Sequence, residues 1–241
     1  MGDKSVTSPM QLPLSIGLRE SATFDNFVAG KDAVVLDVLQ RACAGDERFV
    51  YVSGAPGSGK SHLLQAACHA CSERGGSVYL PLKEADQLDI EMLDGLEVMA
   101  LVAIDDVDAI AGQVAWETAL FHLYNRIRNE GEGALLLTGS TPLNASPIVL
   151  PDLKSRLTWG LAFQLTGLSD ADKLQAMQRR AYERGFDLPD EVGAYLLRHY
   201  HRDMVALFDL LDRLDAVSLI EQRRLTIPFV KEVIGAKFGA K

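Results

Sequence analysis

The stretch Tyr51-Val52-Ser53-Gly54-Ala55-Pro56-Gly57-Ser58-Gly59-Lys60-Ser61 follows the phosphate-binding pattern G-x-x-x-x-G-K-[ST]. Its three glycines let the backbone turn through conformations that other residues avoid, so consecutive N–H groups converge on one anion. Lys60 opens a predicted helix, from which its ammonium group reaches the β- and γ-phosphates, and the Ser61 hydroxyl is a ligand for Mg²⁺. The stretch therefore predicts a nucleotide site.

The residues on either side support this interpretation. Phe49 to Val52 is a strand-like run, and residues 61–74 carry helix formers that stop at Gly75-Gly76. The alternative is an ordinary Gly-rich turn, which the spacing and the Lys-Ser pair disfavour. The predicted nucleotide-binding residues here are Gly54, Pro56, Gly57, Ser58, Gly59, Lys60, Ser61 and His62.

Composition limits the class of protein. The 241 residues are enough for a main domain with a small appendage, and 24 Lys and Arg against 33 Asp and Glu give a net charge of −9. This balance argues against a broad basic face that would bind duplex DNA. The longest apolar run, Val98 to Ile104, is too short to cross a membrane, and no signal peptide is evident. We expect a cytoplasmic protein with no membrane partner.

Two cysteines, Cys68 and Cys71, form a C-x-x-C pattern inside the helix that follows the phosphate-binding stretch. A metal site would need a second pair of ligands, which the sequence does not offer. We interpret both as small buried side chains.

Four further apolar runs predict strands, at 77–80, 98–104, 134–138 and 161–165. The second ends in Asp105-Asp106, as a Walker B strand does. Asp105 is predicted to hold Mg²⁺ through water and Asp106 to orient the attacking water, although two adjacent Asp can also be only a polar turn. Ser140 follows the third of these runs and is predicted to contact the γ-phosphate.

Helical periodicity predicts helices at 32–44, 114–129 and 152–157 and four more at 170–184, 189–199, 203–218 and 227–237. The fold class is α/β, with a five-stranded parallel sheet flanked by helices and a C-terminal helical lid. We divide the chain into a flexible tail at 1–21, a nucleotide-binding core at 22–167 and a lid at 168–241.

One part of the tail has a pattern of its own. In Gln11-Leu12-Pro13-Leu14-Ser15-Ile16, apolar side chains alternate behind a Gln, as in an extended peptide that inserts Leu12, Leu14 and Ile16 into a groove. It resembles the peptide by which bacterial proteins dock on the DNA polymerase sliding clamp. Gln11, Leu12, Leu14 and Ile16 are the predicted clamp-binding residues.

Several motifs together resemble the AAA+ ATPase family, and within it the core of the replication initiator DnaA. They are Thr23-Phe24-Asp25-Asn26-Phe27-Val28-Ala29-Gly30-Lys31, Ile104-Asp105-Asp106-Val107 and Leu153-Lys154-Ser155-Arg156-Leu157-Thr158-Trp159-Gly160. The resemblance implies that the first segment, with Phe27 and Val28, lies over the adenine. It also implies that Arg156 is an arginine finger and Arg202 a sensor 2 residue. The alternatives are a solvated Arg156 and an Arg202 that pairs with Asp203.

The chain departs from DnaA in ways that matter for function. It ends at Lys241, without a helix-turn-helix domain, so we expect no sequence-specific DNA binding. Gly139-Ser140 ends the predicted sensor 1 strand, where DnaA has Ser-Asp. Val205-Ala206 after Arg202 departs from the sensor 2 motif of DnaA. These two differences put ATP turnover by the protein itself in doubt.

With the clamp peptide, this combination resembles the Hda family, whose members bind ADP, dock on the clamp and make DnaA hydrolyse ATP. We predict that the protein binds ADP, or ATP, together with Mg²⁺. The resemblance therefore implies DnaA and the sliding clamp as partners, and Arg156 acting in trans on DnaA-bound ATP; a homo-oligomer is also compatible. Two rival interpretations stay open: a self-sufficient AAA+ ATPase, such as a helicase loader or transposition helper, and a P-loop kinase.

Overall fold

The computed structural model describes residues 22–200 and 203–238. Five strands form one sheet, in the spatial order β2-β3-β4-β1-β5, and every neighbouring pair is parallel. The strands are β1 Phe49–Ser53, β2 Ser77–Pro81, β3 Leu101–Asp105, β4 Ala134–Gly139 and β5 Leu161–Gln164. The predicted five-stranded parallel sheet is confirmed.

Eight α-helices accompany the sheet in the part of the chain that the structure describes. They are α1 Ala33–Ala44, α2 Lys60–Cys71, α3 Val114–Asn129, α4 Pro151–Leu157, α5 Asp170–Glu183, α6 Asp190–His199, α7 Met204–Glu221 and α8 Ile227–Phe238. Each agrees with a predicted helix to within a few residues. None is long and apolar enough to cross a membrane.

The sheet has a hydrophobic layer on each face, because its central strands are apolar on both sides. On one face, side chains of α1 and α2 pack on Val50, Val52 and Ala103; Cys68 and Cys71 lie in this layer, as predicted. On the other face, α3 and α4 pack on Tyr51, Ile104 and Leu135, and the predicted core residues Trp116, Leu120, Leu123 and Ile127 are buried there.

The helices after β5 have a hydrophobic core of their own. Met177, Leu196, Leu211 and Phe229 come from four different helices, α5 to α8, and meet in this cluster. This is the predicted helical lid, and Val28 and Leu168 from the preceding part of the chain pack against it.

The apolar run 98–104 differs from its prediction. The strand begins at Leu101, while Leu96–Val98 is a 3₁₀ turn in which Val98 is 76% exposed. The reason is register: Leu101 pairs with Ser77, the first residue of β2, and the preceding Ala100 N–H already bonds to Gly76. Residues 82–110 contain further 3₁₀ segments, Leu82–Gln87, Ile90–Leu93 and Val107–Ile110.

Candidate functional site

The predicted phosphate-binding loop connects β1 to α2. Gly57 and Gly59 have φ angles of 74° and 99°, in the left-handed region that favours glycine. Gly59 caps the amino terminus of α2, so the loop and the first turn of the helix present backbone N–H groups to the same space. The Ser58 hydroxyl in this loop is buried without a hydrogen-bond partner among the described residues. Left-handed glycines followed by a helix amino terminus are backbone features of phosphate-binding loops.

Lys60 is held inside this loop. Its ammonium group donates to the carbonyl oxygens of Gly54 at 2.8 Å and Ala55 at 3.2 Å, and the residue is only 7% exposed. Burial lowers the pKa of Lys60, while the negative charges of Asp106 and Asp105 raise it. A cation at this position complements phosphate oxygens.

The two predicted magnesium ligands, Ser61 and Asp105, both lie at the hydroxyl group of Tyr79. Tyr79 donates its hydroxyl hydrogen to Asp105 at 2.7 Å, and the Ser61 side chain lies at the same hydroxyl. Thr138 donates a second hydrogen bond to the Asp105 carboxylate, which is buried. A fixed carboxylate beside a hydroxyl suits a hard cation that prefers oxygen ligands.

Asp106 has a partner that the sequence did not predict. Its carboxylate lies 2.7 Å from the ammonium group of Lys83, which follows β2. The Asp106 backbone is left-handed, with φ 55°, and its N–H donates to Thr138. The hydrogen bond to Asp106 raises the pKa of Lys83. The acid predicted to orient water is thus engaged in an ion pair.

Ser140 directly follows β4, and its backbone is hydrogen-bonded to Asp108, a residue that the sequence did not point to. The Ser140 N–H donates to one carboxylate oxygen of Asp108, and the other oxygen is buried without a partner among the described residues. Tyr51 donates to the carbonyl oxygen of Thr141 at 2.8 Å, and its hydroxyl fills the space that a side chain at 139 would need. This contact explains why position 139 is a glycine.

The segment predicted to lie over the adenine crosses the start of α2. The Phe27 ring lies against Gly59 and 5.6 Å from the His62 ring, centroid to centroid. His62 Nε2 donates to the carbonyl oxygen of Thr23 at 2.9 Å. Val28, next to Phe27, packs on the lid cluster. Phe27 and His62 therefore lie beside the phosphate-binding loop, and Val28 lies against the lid.

The lid meets the loop at the amino terminus of α7. Asp203 caps this helix by accepting from the Ala206 N–H at 3.1 Å, and its other carboxylate oxygen lies against Gly57. Arg202 precedes it directly but lies outside the described residues, as do Gln11, Leu12, Leu14 and Ile16.

Arg156 lies elsewhere. It is on α4, its guanidinium carbon is 4.2 Å from the centroid of the Trp159 ring, and Gly160 packs on the backbone of Phe49. Phe49 is the first residue of β1, whereas the phosphate-binding loop follows the last. Arg156 therefore lies near the amino ends of the strands, whereas the protein's own phosphate-binding loop lies at their carboxyl ends.

Two family models match successive parts of the chain. The bacterial DnaA ATPase domain matches residues 18–164, and the Hda lid domain matches residues 170–234. The two matched regions are the sheet with its flanking helices and the C-terminal helical cluster.

Solved structures agree with this division. Domain III of DnaA from Thermotoga maritima superposes with a TM-score of 0.78 at 18% identity, covering 91% of this chain and 98% of that one. AMPPCP-bound DnaA from Aquifex aeolicus gives 0.69 at 21% identity, covering 83% and 66%. The RuvB branch-migration motor from Thermotoga maritima gives 0.65 at 14%, covering 86% and 67%. These likenesses establish the AAA+ fold.

Proposed function

The chain belongs to the family of bacterial DnaA ATPase domains and continues into an Hda-type lid, and from this we propose that it is a nucleotide-bound regulator of DnaA in the cytoplasm. The single observation that carries the proposal is this order of a DnaA-type core and an Hda-type lid in one chain. An initiator-type lid would instead favour an initiator or a self-sufficient ATPase.

The first part of the proposal is an adenine nucleotide with Mg²⁺, for which the Hda resemblance implies ADP. The N–H groups at Gly57 and Gly59 and the ammonium of Lys60 would hold the phosphates, with Phe27 and Val28 at the base. Ser61 and Asp105 would hold the metal, which screens phosphate charge when bound. AMPPCP-bound DnaA, which has the same fold, supports this assignment.

The nucleotide assignment is tested by titration calorimetry with Mg-ADP and Mg-ATP. Replacing Lys60 with Ala should weaken binding roughly tenfold to a hundredfold, the range expected for a hydrogen bond to a charged group. Lys231→Ala, an exposed lysine on the lid helix α8, is the matched control. Equal affinities of wild type and Lys60→Ala would refute the site.

The second part is that Arg156 acts on ATP bound by DnaA. In that reaction the oxygen of water bonds to the γ-phosphorus as the bond to the β-phosphate oxygen breaks, giving ADP and phosphate. A planar, permanently charged fork stabilises the charge on the γ-phosphoryl oxygens, and such fingers contribute roughly 10³ to 10⁵ in rate. Arg156 lies near the amino ends of the strands, away from the protein's own phosphate-binding loop, and this position supports action in trans.

Radiolabelled ATP on DnaA, mixed with DNA-loaded clamp and this protein, tests the finger. Arg156→Ala should lose the stimulation and keep ADP binding. Arg41→Ala, an arginine paired with Glu47 on α1, is the control. Stimulation by Arg156→Ala at the wild-type level would exclude the finger, and steady ATP turnover without DnaA would favour a self-sufficient ATPase.

The third part is docking on the sliding clamp through Gln11, Leu12, Leu14 and Ile16. Tethering raises the effective concentration of the core near replicating DNA without a DNA-binding domain. Gln11→Ala with Leu12→Ala should abolish clamp pull-down and leave nucleotide affinity unchanged. Undiminished pull-down of this double variant would contradict the assignment.

A further inference from the structure

Trp159 is an exposed tryptophan with two arginines against its ring. It is 56% exposed, and the guanidinium carbons of Arg156 and Arg128 lie 4.2 Å and 4.4 Å from its ring centroid. Distances of this size are typical of cation–π contacts, for which Trp is the best aromatic partner. The two guanidinium groups therefore share one exposed aromatic ring.

Neither guanidinium has a carboxylate partner in the part of the chain that the structure describes. Of the residues that the structure describes, no carboxylate lies within 4.0 Å of Arg128 or Arg156, although most of the arginines on the lid are paired. The two positive charges lie against one ring in a chain of net charge −9, and like charges repel each other. An anion that approaches both groups would relieve this repulsion.

The backbone next to Trp159 is closely packed. The following residue, Gly160, packs so closely on the backbone of Phe49 that a side chain there would clash. The Phe49 ring stacks on Tyr124, with 4.4 Å between centroids. Arg48 lies over Phe49 and donates to the carbonyl oxygen of Gly131 at 2.7 Å, which anchors the end of α3 that carries Arg128. The backbone that carries Trp159 is therefore packed against the start of β1.

We propose that Trp159 is a positioning residue that holds the Arg156 fork in its working orientation, and that Arg128 is a second cation for the same triphosphate on the partner AAA+ protein. This inference rests on the proposed function. An arginine side chain loses rotamer freedom when it binds, and stacking beforehand reduces that cost. Arg128 adds charge where the γ-phosphoryl oxygens become more negative.

The test measures hydrolysis of DnaA-bound ATP over a range of concentrations of this protein, which separates the maximal rate from the half-saturating concentration. Trp159→Ala should lower the maximal rate about tenfold, and Trp159→Phe should retain most of it because a smaller aromatic face remains. Arg128→Ala should lower it about threefold to tenfold. ADP affinity should not change in any of them.

Matched controls come from the same chain. Tyr182→Ala removes an aromatic residue that is 83% exposed on the lid, and Arg41→Ala removes an exposed arginine of α1. Both should leave the maximal rate unchanged. Melting temperatures of all variants, followed by circular dichroism, separate loss of folding from loss of rate. If Trp159→Ala does not fold, Trp159→Leu, which keeps an apolar side chain without an aromatic face, takes its place and should lower the maximal rate to a similar extent.

The outcomes separate a failure of the proposed function from a failure of the roles proposed for Trp159 and Arg128. If Arg156→Ala stimulates DnaA normally, the proposed function fails. If Arg156→Ala is inactive while folded Trp159→Ala reaches the wild-type maximal rate, only the positioning role fails. A wild-type maximal rate in Arg128→Ala would overturn the second cation in the same way.

Discussion

At the scale of residues, the candidate site brings two lysines and three aspartates together at the carboxyl ends of the strands. Lys60 and Lys83 lie within electrostatic range of Asp105, Asp106 and Asp108. Each acid has a separate role in the structure: Asp105 bonds to Tyr79, Asp106 pairs with Lys83, and Asp108 accepts from Ser140. A bound phosphate would compete with these acids for the two lysines, so their pairing affects both affinity and turnover.

Lys83→Ala tests this competition. Lys83 pairs with Asp106, the acid predicted to orient water, and its side chain is 69% exposed, so the pair contributes at most about 1 kcal/mol to stability. We expect the variant to keep its melting temperature and to increase ATP hydrolysis by the protein alone severalfold, because Asp106 is released. A phosphate-release assay without DnaA measures this. Unchanged or lower turnover would mean that Lys83 does not restrain Asp106.

Cys68 provides a pH-dependent prediction. Burial raises the pKa of its thiol to about 12, from 9.0. The neutral thiol therefore favours the folded state, and this contribution is complete below pH 9.0 and is lost as the pH rises toward 12. At pH 8 about one thiol in 10⁴ is ionised, so alkylation of native Cys68 should follow local unfolding. Fast labelling in the folded protein, located by mass spectrometry against Cys68→Ala, would contradict the burial.

At the scale of elements, strands and helices were predictable where periodicity or apolar runs dominate. β4 and α3 match their predictions because every β4 residue is buried and α3 has one apolar face. The start of β3 was not predictable, since pairing with β2 selects Leu101 and leaves Val98 in solvent. The left-handed backbone of Asp106 was not predicted, because aspartate is enriched among non-glycine residues in this conformation but adopts it in only a small fraction of cases.

The amino terminus of α7 carries the next prediction. Asp203 caps this helix while its free carboxylate oxygen lies at Gly57, where phosphate is expected. Asp203→Asn keeps the cap and removes the charge, so nucleotide binding should tighten roughly fivefold, about 1 kcal/mol. Asp203→Ala should also lose about 1 kcal/mol of lid stability. Calorimetry and thermal melting measure the two effects, and weaker binding by Asp203→Asn would contradict the electrostatic argument.

At the scale of the whole molecule, the segment of Phe27 and Val28 connects the candidate nucleotide site, the sheet and the lid. Phe27 packs with the α1–α2 layer and on Gly59, whereas Val28 packs on the lid cluster. The sequence predicted the convergence of the loop, Asp105 and Ser140, because parallel strands end at one edge. It did not predict Lys83 or Asp108, since both lie in 3₁₀ segments whose direction depends on packing.

This arrangement leads to a prediction about coupling between the lid and the nucleotide. Val28→Ala removes apolar contact with the lid, so the lid should dock less firmly and nucleotide affinity should fall about threefold to tenfold. Val34→Ala, at a site that is 64% exposed on α1, is the control and should have no effect.

Hydrogen exchange in α5 and α7 should be slowed by Mg-ADP in wild type and less so in Val28→Ala, because opening of the lid then costs less free energy. If Val28→Ala binds as tightly as wild type and protects these helices equally, the segment does not transmit nucleotide binding to the lid, and the contacts at Asp203 would have to do so alone.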